Sequence, residues 1–305
     1  MRRDRSLLAL IMLTIALFIR YWPQFFHLML LRSFAFQFLG VFCIITLYWF
    51  YRGRVINGLL GVISLAIINS FLPPLSSDDN MATRGNEDFV IAHFNVLMIN
   101  EDHGSIMTQA LNSNADLISF QEVNDRWADE LDSALSCKFP YSHIVSRSNN
   151  YGIAVFSKRP FVEIKTFYSG GDPFIEGRIE VDGKDLSFVA SHTRSPLPYY
   201  NYVLRNEQLG LIAKKMEGLI GAKVLIGDLN AVPWDEEMIE LSTRSGLADS
   251  RRSIAGTFPK FPWLSRIPID HIFHSKDLKC LSFHALAKTN SDHLGIVGTY
   301  QFLRS

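Results

Sequence analysis

Residues 33–51 (SFAFQFLGVFCIITLYWFY) and 55–72 (VINGLLGVISLAIINSFL) contain no charged side chain, and that absence constrains this chain more than any other feature. As helices rising 1.5 Å per residue they would extend about 27 to 29 Å, close to the thickness of a bilayer's hydrocarbon core. Neither run has a polar face to turn toward water, which a helix on the surface of a soluble core needs. Both read as transmembrane helices. Residues 7–19 make a third candidate, closed by Arg20 and Pro23, with Arg20 snorkelling at the interface beside Tyr21 and Trp22. A cleaved signal peptide would share the basic start MRRDR, but IRYWPQFF offers no small-residue cleavage site. Residues 1–72 are therefore expected to be a membrane region with two or three transmembrane helices.

A formal net charge of zero hides an asymmetry. Residues 1–75 hold seven basic residues against one acid, or +6, and the remainder holds 23 against 29, or −6. Arg52 and Arg54 sit in the tight connection between the two strongest spans, and Arg2, Arg3 and Arg5 precede the first. Basic clusters favour the cytoplasmic side, and Arg20 and Arg32 opposite weaken that bias without reversing it. The expectation is a multi-pass protein of the inner (cytoplasmic) membrane whose C-terminal domain is extracytoplasmic. Residues 73–86 (PPLSSDDNMATRGN) read as a linker, since Pro-Pro and small polar residues build no core. Residues 87–305 then form one domain. Of the three cysteines, Cys43 lies in a span, and Cys137 and Cys280 read as free, partly buried thiols.

In that domain strands outnumber helices. Strands are expected at 89–95, 116–121, 142–146, 151–157, 161–168, 174–181, 185–191, 223–228, 269–273, 280–286 and 294–302, and helices at 104–113, 125–136, 199–219 and 235–243. Strands such as DLISF and VLIGD are apolar on both faces and need cover on both sides. The fold class is therefore α/β, with sheets stacked inside a shell of helices. Six strand ends carry polar chemistry: FVIAHFNV ends in Asn95, DLISFQEV in Glu122, LSFVASHT in His192 and VLIGDLN in Asp228 and Asn230, while IPIDHIF carries Asp270 and TNSDHLGIV gives Asp292 and His293. Singly, each is more often a solvated cap or a satisfied histidine. Together they suit a hard divalent cation, which takes few protein oxygens and completes its shell with water and phosphate. Glu122, Asp228, Asn230 and Asp292 carry such oxygens. His293 with Asp270 suits proton transfer, because a carboxylate fixes the imidazole tautomer and stabilises its charged form. Zinc-type Cys/His spacing, a Gly-rich phosphate loop and a G-x-S-x-G elbow are all missing from the sequence.

GDLN and SDH, with FQEV and HFNV next, carry a resemblance that runs from about Phe89 to Phe302: the domain resembles the endonuclease/exonuclease/phosphatase superfamily of metal-dependent phosphoesterases, and its loops TRSPLPYY and TFPKFPWLSRIPIDH resemble features of that superfamily's membrane-anchored bacterial branch. The resemblance implies a four-layered α/β sandwich of the DNase I-like kind, with the site at the open edge of two packed sheets. It implies Glu122 as the principal Mg²⁺ ligand, Mn²⁺ being an alternative, with Asn95 and Asp292 in the metal and phosphate shell. It further implies Asp228 as the carboxylate that orients or activates water, Asn230 as a phosphate-holding neighbour, His192 as a donor to a phosphate oxygen, and His293 with Asp270 as acid/base. The implied reaction is metal-assisted, in-line hydrolysis of a phosphodiester without a covalent intermediate.

The substrate is less legible. Non-specific nucleases carry a basic face, and this domain's −6 argues against one, although Arg147, Lys158 and Arg159 offer a local basic rim. TRSPLPYY after His192 and TFPKFPWLSRIPIDH up to Asp270 are rich in proline and aromatics. Tyr199, Tyr200, Phe258, Phe261 and Trp263 either pack these loops or contact a lipid, a headgroup or stacked bases. The expected partners are a phosphate-ester substrate, lipid headgroup or nucleic acid, and a membrane held by the N-terminal helices. A scaffold protein that keeps the fold without turnover is the alternative, and the intact set of polar residues argues against it.

Overall fold

In β1 (Asp88–Asn95) every residue is buried, so each face of the strand meets a packed layer. Phe89 and Ile91 join one apolar core, and Val90, Ala92 and Phe94 join another. The computed structural model describes residues 6–73, 88–253 and 256–303. Among them, β1 pairs in parallel with β2 (Leu117–Gln121) and antiparallel with β12 (Ile296–Phe302). With β3 (Tyr141–Val145), β4 (Ile153–Ser157) and β11 (Leu278–Ala285), these form a six-stranded sheet in the order β11-β12-β1-β2-β4-β3.

A second six-stranded sheet runs β5-β6-β7-β8-β10-β9. Its strands are β5 (Phe161–Ser169), β6 (Asp172–Val181), β7 (Lys184–His192), β8 (Lys223–Asp228), β9 (Leu247–Asp249) and β10 (Asp270–Ser275). The inner core draws Ile91, Leu117 and Val155 from the first sheet and Phe188, Ile226 and Ile272 from the second. Outside the first sheet lie α5 (His103–Asn112) and α6 (Asp125–Leu135), sealed through Ile106, Trp127 and Leu131. Outside the second lie α7 (Tyr199–Gly218) and α8 (Glu236–Ser245), through Leu209, Ile212, Met238 and Leu241. The layers are helix, sheet, sheet, helix: a four-layered α/β sandwich. Period-two alternation sends odd residues of β1 inward and even ones outward, which is why both faces of the strand had to be apolar. The three-residue β9, too short to carry a pattern, was not expected.

The chain divides into two compact units, Met1–Pro74 with Val232–Glu236, and the remainder. The first contains α1 (Leu7–Tyr21), α2 (Phe26–Arg32), α3 (Ala35–Tyr51) and α4 (Val55–Asn69). Gly58 and Gly61 of α4 face Phe50 and Thr46 of α3, where a β-carbon would overlap those side chains. Among the described residues no single helix is long and apolar enough to cross a membrane, α3 having 17 residues and α4 15. Both uncharged runs thus make shorter helices than expected, because α3 starts only after Ser33 and Phe34, and Ser70 turns its hydroxyl back onto the Ile67 carbonyl at the end of α4. α1 and α2 pass the length and composition test only as a pair bent by 108°. Pro23, which cannot donate to a helix and disfavours the helical conformation before it, sits at that bend. The expected linker, Pro73 excepted, and Arg2, Arg3 and Arg5 lie outside the described residues. Cys43 and Cys137 are exposed free thiols and Cys280 a buried one, so partial burial fails for Cys137, which follows the end of α6.

Candidate active site

Two register facts bring the polar strand ends together. In the parallel β7/β8 pair His192 lies opposite Asp228, and in the antiparallel β8/β10 pair Asp270 lies opposite the same Asp228. The parallel β1/β2 pair sets Asn95 opposite Gln121, so Glu122 follows one residue beyond. Asn95, His192, Asp228 and Asp270 occupy the same alternation as the inner core residues of their strands, and so they point between the sheets. Gly227 allows the close fit: a β-carbon there would overlap the Ser191 carbonyl oxygen.

Glu122 and Asn230 hold left-handed backbone, with φ of 65° and 46°, as does Leu97 at 59°. Side-chain residues rarely adopt this conformation, and a fold that imposes it at these positions spends stability on aim. Glu122 accepts hydrogen bonds from Asn95 Nδ2 at 3.1 Å and from the Met98 amide at 3.1 Å. Burial raises its pKa, and those two bonds pull it part of the way back. Asn95 also donates to Asp228 Oδ2 at 3.2 Å, while its own oxygen accepts from the Leu97 amide. The structure places Asn95, expected in the metal and phosphate shell, as a donor between two carboxylates. Its amide cannot serve both carboxylates and also turn its oxygen to them.

Asp270 is wholly buried and accepts from two imidazoles, His293 Nδ1 at 2.9 Å on Oδ2 and His93 Nε2 at 3.0 Å on Oδ1. Burial alone would raise its pKa, but these partners hold it well below the usual carboxylate range. Burial likewise opposes charge on His293, yet the Asp270 and Asp228 anions outweigh it and bring its pKa up to about 10. His293 Nε2 lies 3.7 Å from Asp228 Oδ2, and His192 Nε2 lies 3.6 Å from the same oxygen. Burial, then the Asp270 charge, push Asp228 up to about 8. Burial, then the His293 charge, push His192 down to about 3, so that ring is neutral at working pH.

The remaining expected residues fall in place around these. Asn230 donates from its amide side chain to the Thr193 carbonyl at 2.9 Å and from its backbone to Asp228 Oδ1 at 3.0 Å. Asp292 keeps Oδ1 buried with no hydrogen-bond partner, and its charge acts on both Glu122 and His293. An orphaned carboxylate oxygen close to a second buried carboxylate fits a hard divalent cation, and Glu122 and Asp292 are the residues that would hold one. Donor atoms of Asp228, Asp270 and His293 also lie within 4.8 Å of one another. Both Asp270 oxygens and His293 Nδ1 are committed to hydrogen bonds, however, so that trio fits proton handling better than metal binding. Of the three basic residues named for a rim, Lys158 pairs with Asp116 and Arg159 with Asp182, while Arg147 donates to the Gly171 carbonyl. Phe258 packs on the His293 ring at 4.7 Å between centroids, whereas Tyr199, Tyr200 and Phe261 are exposed.

Several functional neighbours were not assigned from the sequence. His93 sits in the same HFN stretch as Asn95, and period-two parity was the signal that could have placed it on the inner face. Ser291 accepts the His293 amide on its hydroxyl and donates to the Asn95 carbonyl. Tyr151 packs at a tilt against His192 at 5.2 Å between ring centroids and lies under the Arg194 guanidinium at 4.5 Å, and Arg194 forks onto Asp172 at 2.6 and 2.9 Å. These last contacts join residues far apart in sequence and leave no local pattern.

Comparison with known proteins agrees with this geometry. The description Endonuclease/Exonuclease/phosphatase family matches residues 92–293. Similar solved structures include an endonuclease/exonuclease/phosphatase family protein from Bacteroides thetaiotaomicron at 20% identity, covering 70% of this chain and 95% of that one with a TM-score of 0.61. Another is D. rerio TDP2 complexed with single strand DNA product, at 17% identity, 71% and 100% coverage and a TM-score of 0.59. The human Nocturnin catalytic domain with bound sulfate anion follows at 18% identity, 71% and 95% coverage and 0.58. These likenesses extend to the fold alone. No curated protein matches the chain in sequence. With its two-sheet sandwich, its polar strand ends and two thirds of its length matched, the chain belongs to the endonuclease/exonuclease/phosphatase family.

Proposed function

We propose that this chain is a membrane-anchored, Mg²⁺- or Mn²⁺-dependent phosphodiesterase whose catalytic domain faces away from the cytoplasm and whose substrate is a lipid or envelope phosphodiester. The observation that carries the reading is the convergence of the buried Glu122 carboxylate and of Asp292, whose Oδ1 is buried without a hydrogen-bond partner, with the Asp228, Asp270, His293 group at one sheet edge. A divalent cation held by Glu122 and Asp292 would neutralise charge on a phosphoryl oxygen and acidify water. Asp228, fixed by the Asn230 and Asn95 donors, orients the attacking water and in its ionised form is suited to take its proton. His293, charged because Asp270 holds its Nδ1–H, presents Nε2–H to the phosphoryl group as acid or as charge stabiliser. His192 stays neutral and donates one hydrogen bond to a phosphate oxygen without adding charge. Tyr151 packs against its ring and is itself covered by Arg194.

Exposed apolar side chains favour the lipid substrate. Leu197, Tyr199 and Tyr200 follow His192 in sequence and Phe261 and Leu264 precede Asp270, all between 58% and 77% exposed. The −6 charge of residues 76–305 and the paired state of Lys158 and Arg159 point away from a polyanion. A nucleic-acid substrate is the second reading, favoured by the likeness to a TDP2 structure that holds single strand DNA product. Anchoring rests on the uncharged runs 33–51 and 55–72, and outward orientation on the basic residues flanking them.

The test is hydrolysis by the full-length chain in mild detergent, with Mg²⁺ or Mn²⁺, on phospholipid, sphingomyelin, DNA and RNA. We expect a lipid phosphodiester to be cleaved, chelation to abolish the activity, and His293→Ala to lower it by about 10²- to 10⁴-fold. Cleavage of DNA or RNA alone would transfer the substrate to the second reading. A folded wild-type chain inert on all four classes with either metal would refute the enzyme reading in favour of the scaffold.

A further inference from the structure

His93 is an expensive residue where it stands. It lies on the inner face of β1 after Phe89 and Ile91, fully buried in the layer between the sheets, where an aliphatic side chain would complete the core at no polar cost. Its Nε2 crosses from the first sheet to the second and meets Asp270 Oδ1 at 3.0 Å. The other oxygen of that carboxylate takes His293 Nδ1 at 2.9 Å. An ionised carboxylate only accepts hydrogen bonds, so both imidazoles donate to it. The terminal torsion of an aspartate is soft and nearly two-fold. One donor would leave the carboxylate free to swing about that bond, whereas donors on both oxygens, one from β1 and one from the segment leading into β12, fix its plane.

We propose that His93 is a positioning residue for phosphodiester hydrolysis: its hydrogen bond to Asp270 Oδ1 fixes the carboxylate plane and, through it, the orientation of the His293 ring. The proposal rests on the phosphodiesterase reading above, in which His293 meets the phosphoryl group. The Asp270 backbone carbonyl is held separately by Arg251, so the main chain stays anchored when His93 is replaced and the effect is confined to the carboxylate. The amide of a glutamine reaches about as far as Nε2, whereas that of an asparagine stops short, and a leucine fills the space without donating.

The test uses the full-length chain and bis(p-nitrophenyl) phosphate, an activated phosphodiester with no lipid or base to recognise. His93→Leu and His93→Asn should each lower kcat by about 10- to 100-fold with KM within about twofold, as expected for a partner that orients an active group. His93→Gln should recover kcat to within about fivefold. In an Asp270→Ala background, His93→Leu should change kcat by less than about twofold, because the route of its action is gone. Thermal unfolding identifies which variants are folded. A readout independent of turnover is the downfield proton signal of His293 Nδ1–H in protein labelled with ¹⁵N-histidine. It should persist in His93→Gln and shift or broaden in His93→Leu and His93→Asn. Wild-type kcat in a folded His93→Leu or His93→Asn chain, an undiminished effect without Asp270, or an unchanged His293 signal would each overturn the proposal. If the wild-type chain is inert, the phosphodiesterase reading fails, and the proton signal alone decides whether His93 orients the pair.

Discussion

At the scale of single residues, the site stores charge that burial makes expensive. Glu122 combines a left-handed backbone with a buried carboxylate whose pKa is raised, an investment a metal ligand would return. Glu122→Gln keeps the shape and removes the charge, and calorimetric Mg²⁺ or Mn²⁺ affinity should fall by about 10-fold or more. Stability should depend on pH in a definite direction. His192 has its pKa lowered to about 3 in the folded chain, against about 6.5 unfolded, so the unfolded chain takes up the proton first. Its contribution is complete above pH 6.5 and is lost as pH falls from there toward 3. His293, raised to about 10, contributes fully below pH 6.5 and loses that contribution as pH rises toward 10. Asp228, raised to about 8, loses its contribution as pH rises from about 3.9 toward 8 and so opposes His192 across the acid range. Measured with chelator present, the Tm of His192→Gln should therefore fall less than that of the wild-type chain as pH is lowered from about 6.5 toward 4. Site identity was largely legible because oxygen and imidazole side chains end otherwise apolar strands. His93 was not, because a histidine inside a strand pattern has no signature distinguishing a core residue from a partner of Asp270.

At the scale of elements, the aim of the site depends on how closely β7 and β8 approach. Gly227 sits where a β-carbon would overlap the Ser191 carbonyl, beside the His192–Asp228 pair. Gly227→Ala should lower stability by about 2 to 3 kcal/mol, read as a lowered urea midpoint, since backbone on both sides of the contact cannot move aside cheaply. It should also lower activity in molecules that remain folded, because the register of two site residues moves with it. The helix starts are more forgiving. Asn124 caps α6 by accepting the Trp127 amide at 2.9 Å, and Asn124→Ala should cost about 1 kcal/mol with little change in turnover. The sandwich strands and helices lie within a few residues of their sequence expectation, because each long strand buries both faces and each helix carries one apolar stripe. What escaped was short: β9 with three residues and α2 with seven. Elements of that length hold fewer than two periods of their pattern, too few repeats to read.

At the scale of the whole molecule, the uncharged runs and the basic residues flanking them predict an integral membrane protein. Alkaline carbonate should leave the chain in the membrane pellet, and a version lacking residues 1–72 should move to the supernatant. Release of the full-length chain by carbonate would overturn the anchoring. Side-chain hydropathy alone determined the division into an apolar N-terminal region and an α/β domain, the alternating elements, and the list of polar strand ends, since burial patterns repeat within a few residues. Tertiary structure decided which of those ends meet. The pairing of Asp228 with both His192 and Asp270 is a matter of strand order and register, and neither is encoded in any local stretch. It also decided that Asn95 donates between carboxylates, that Lys158 and Arg159 pair with acids, and that His93 reaches across the sheets to Asp270. The physical reason is the same in each case. A local sequence sets which face a side chain occupies, but the partner it finds there comes from another strand, brought up by the packing of two sheets whose order the local pattern does not specify.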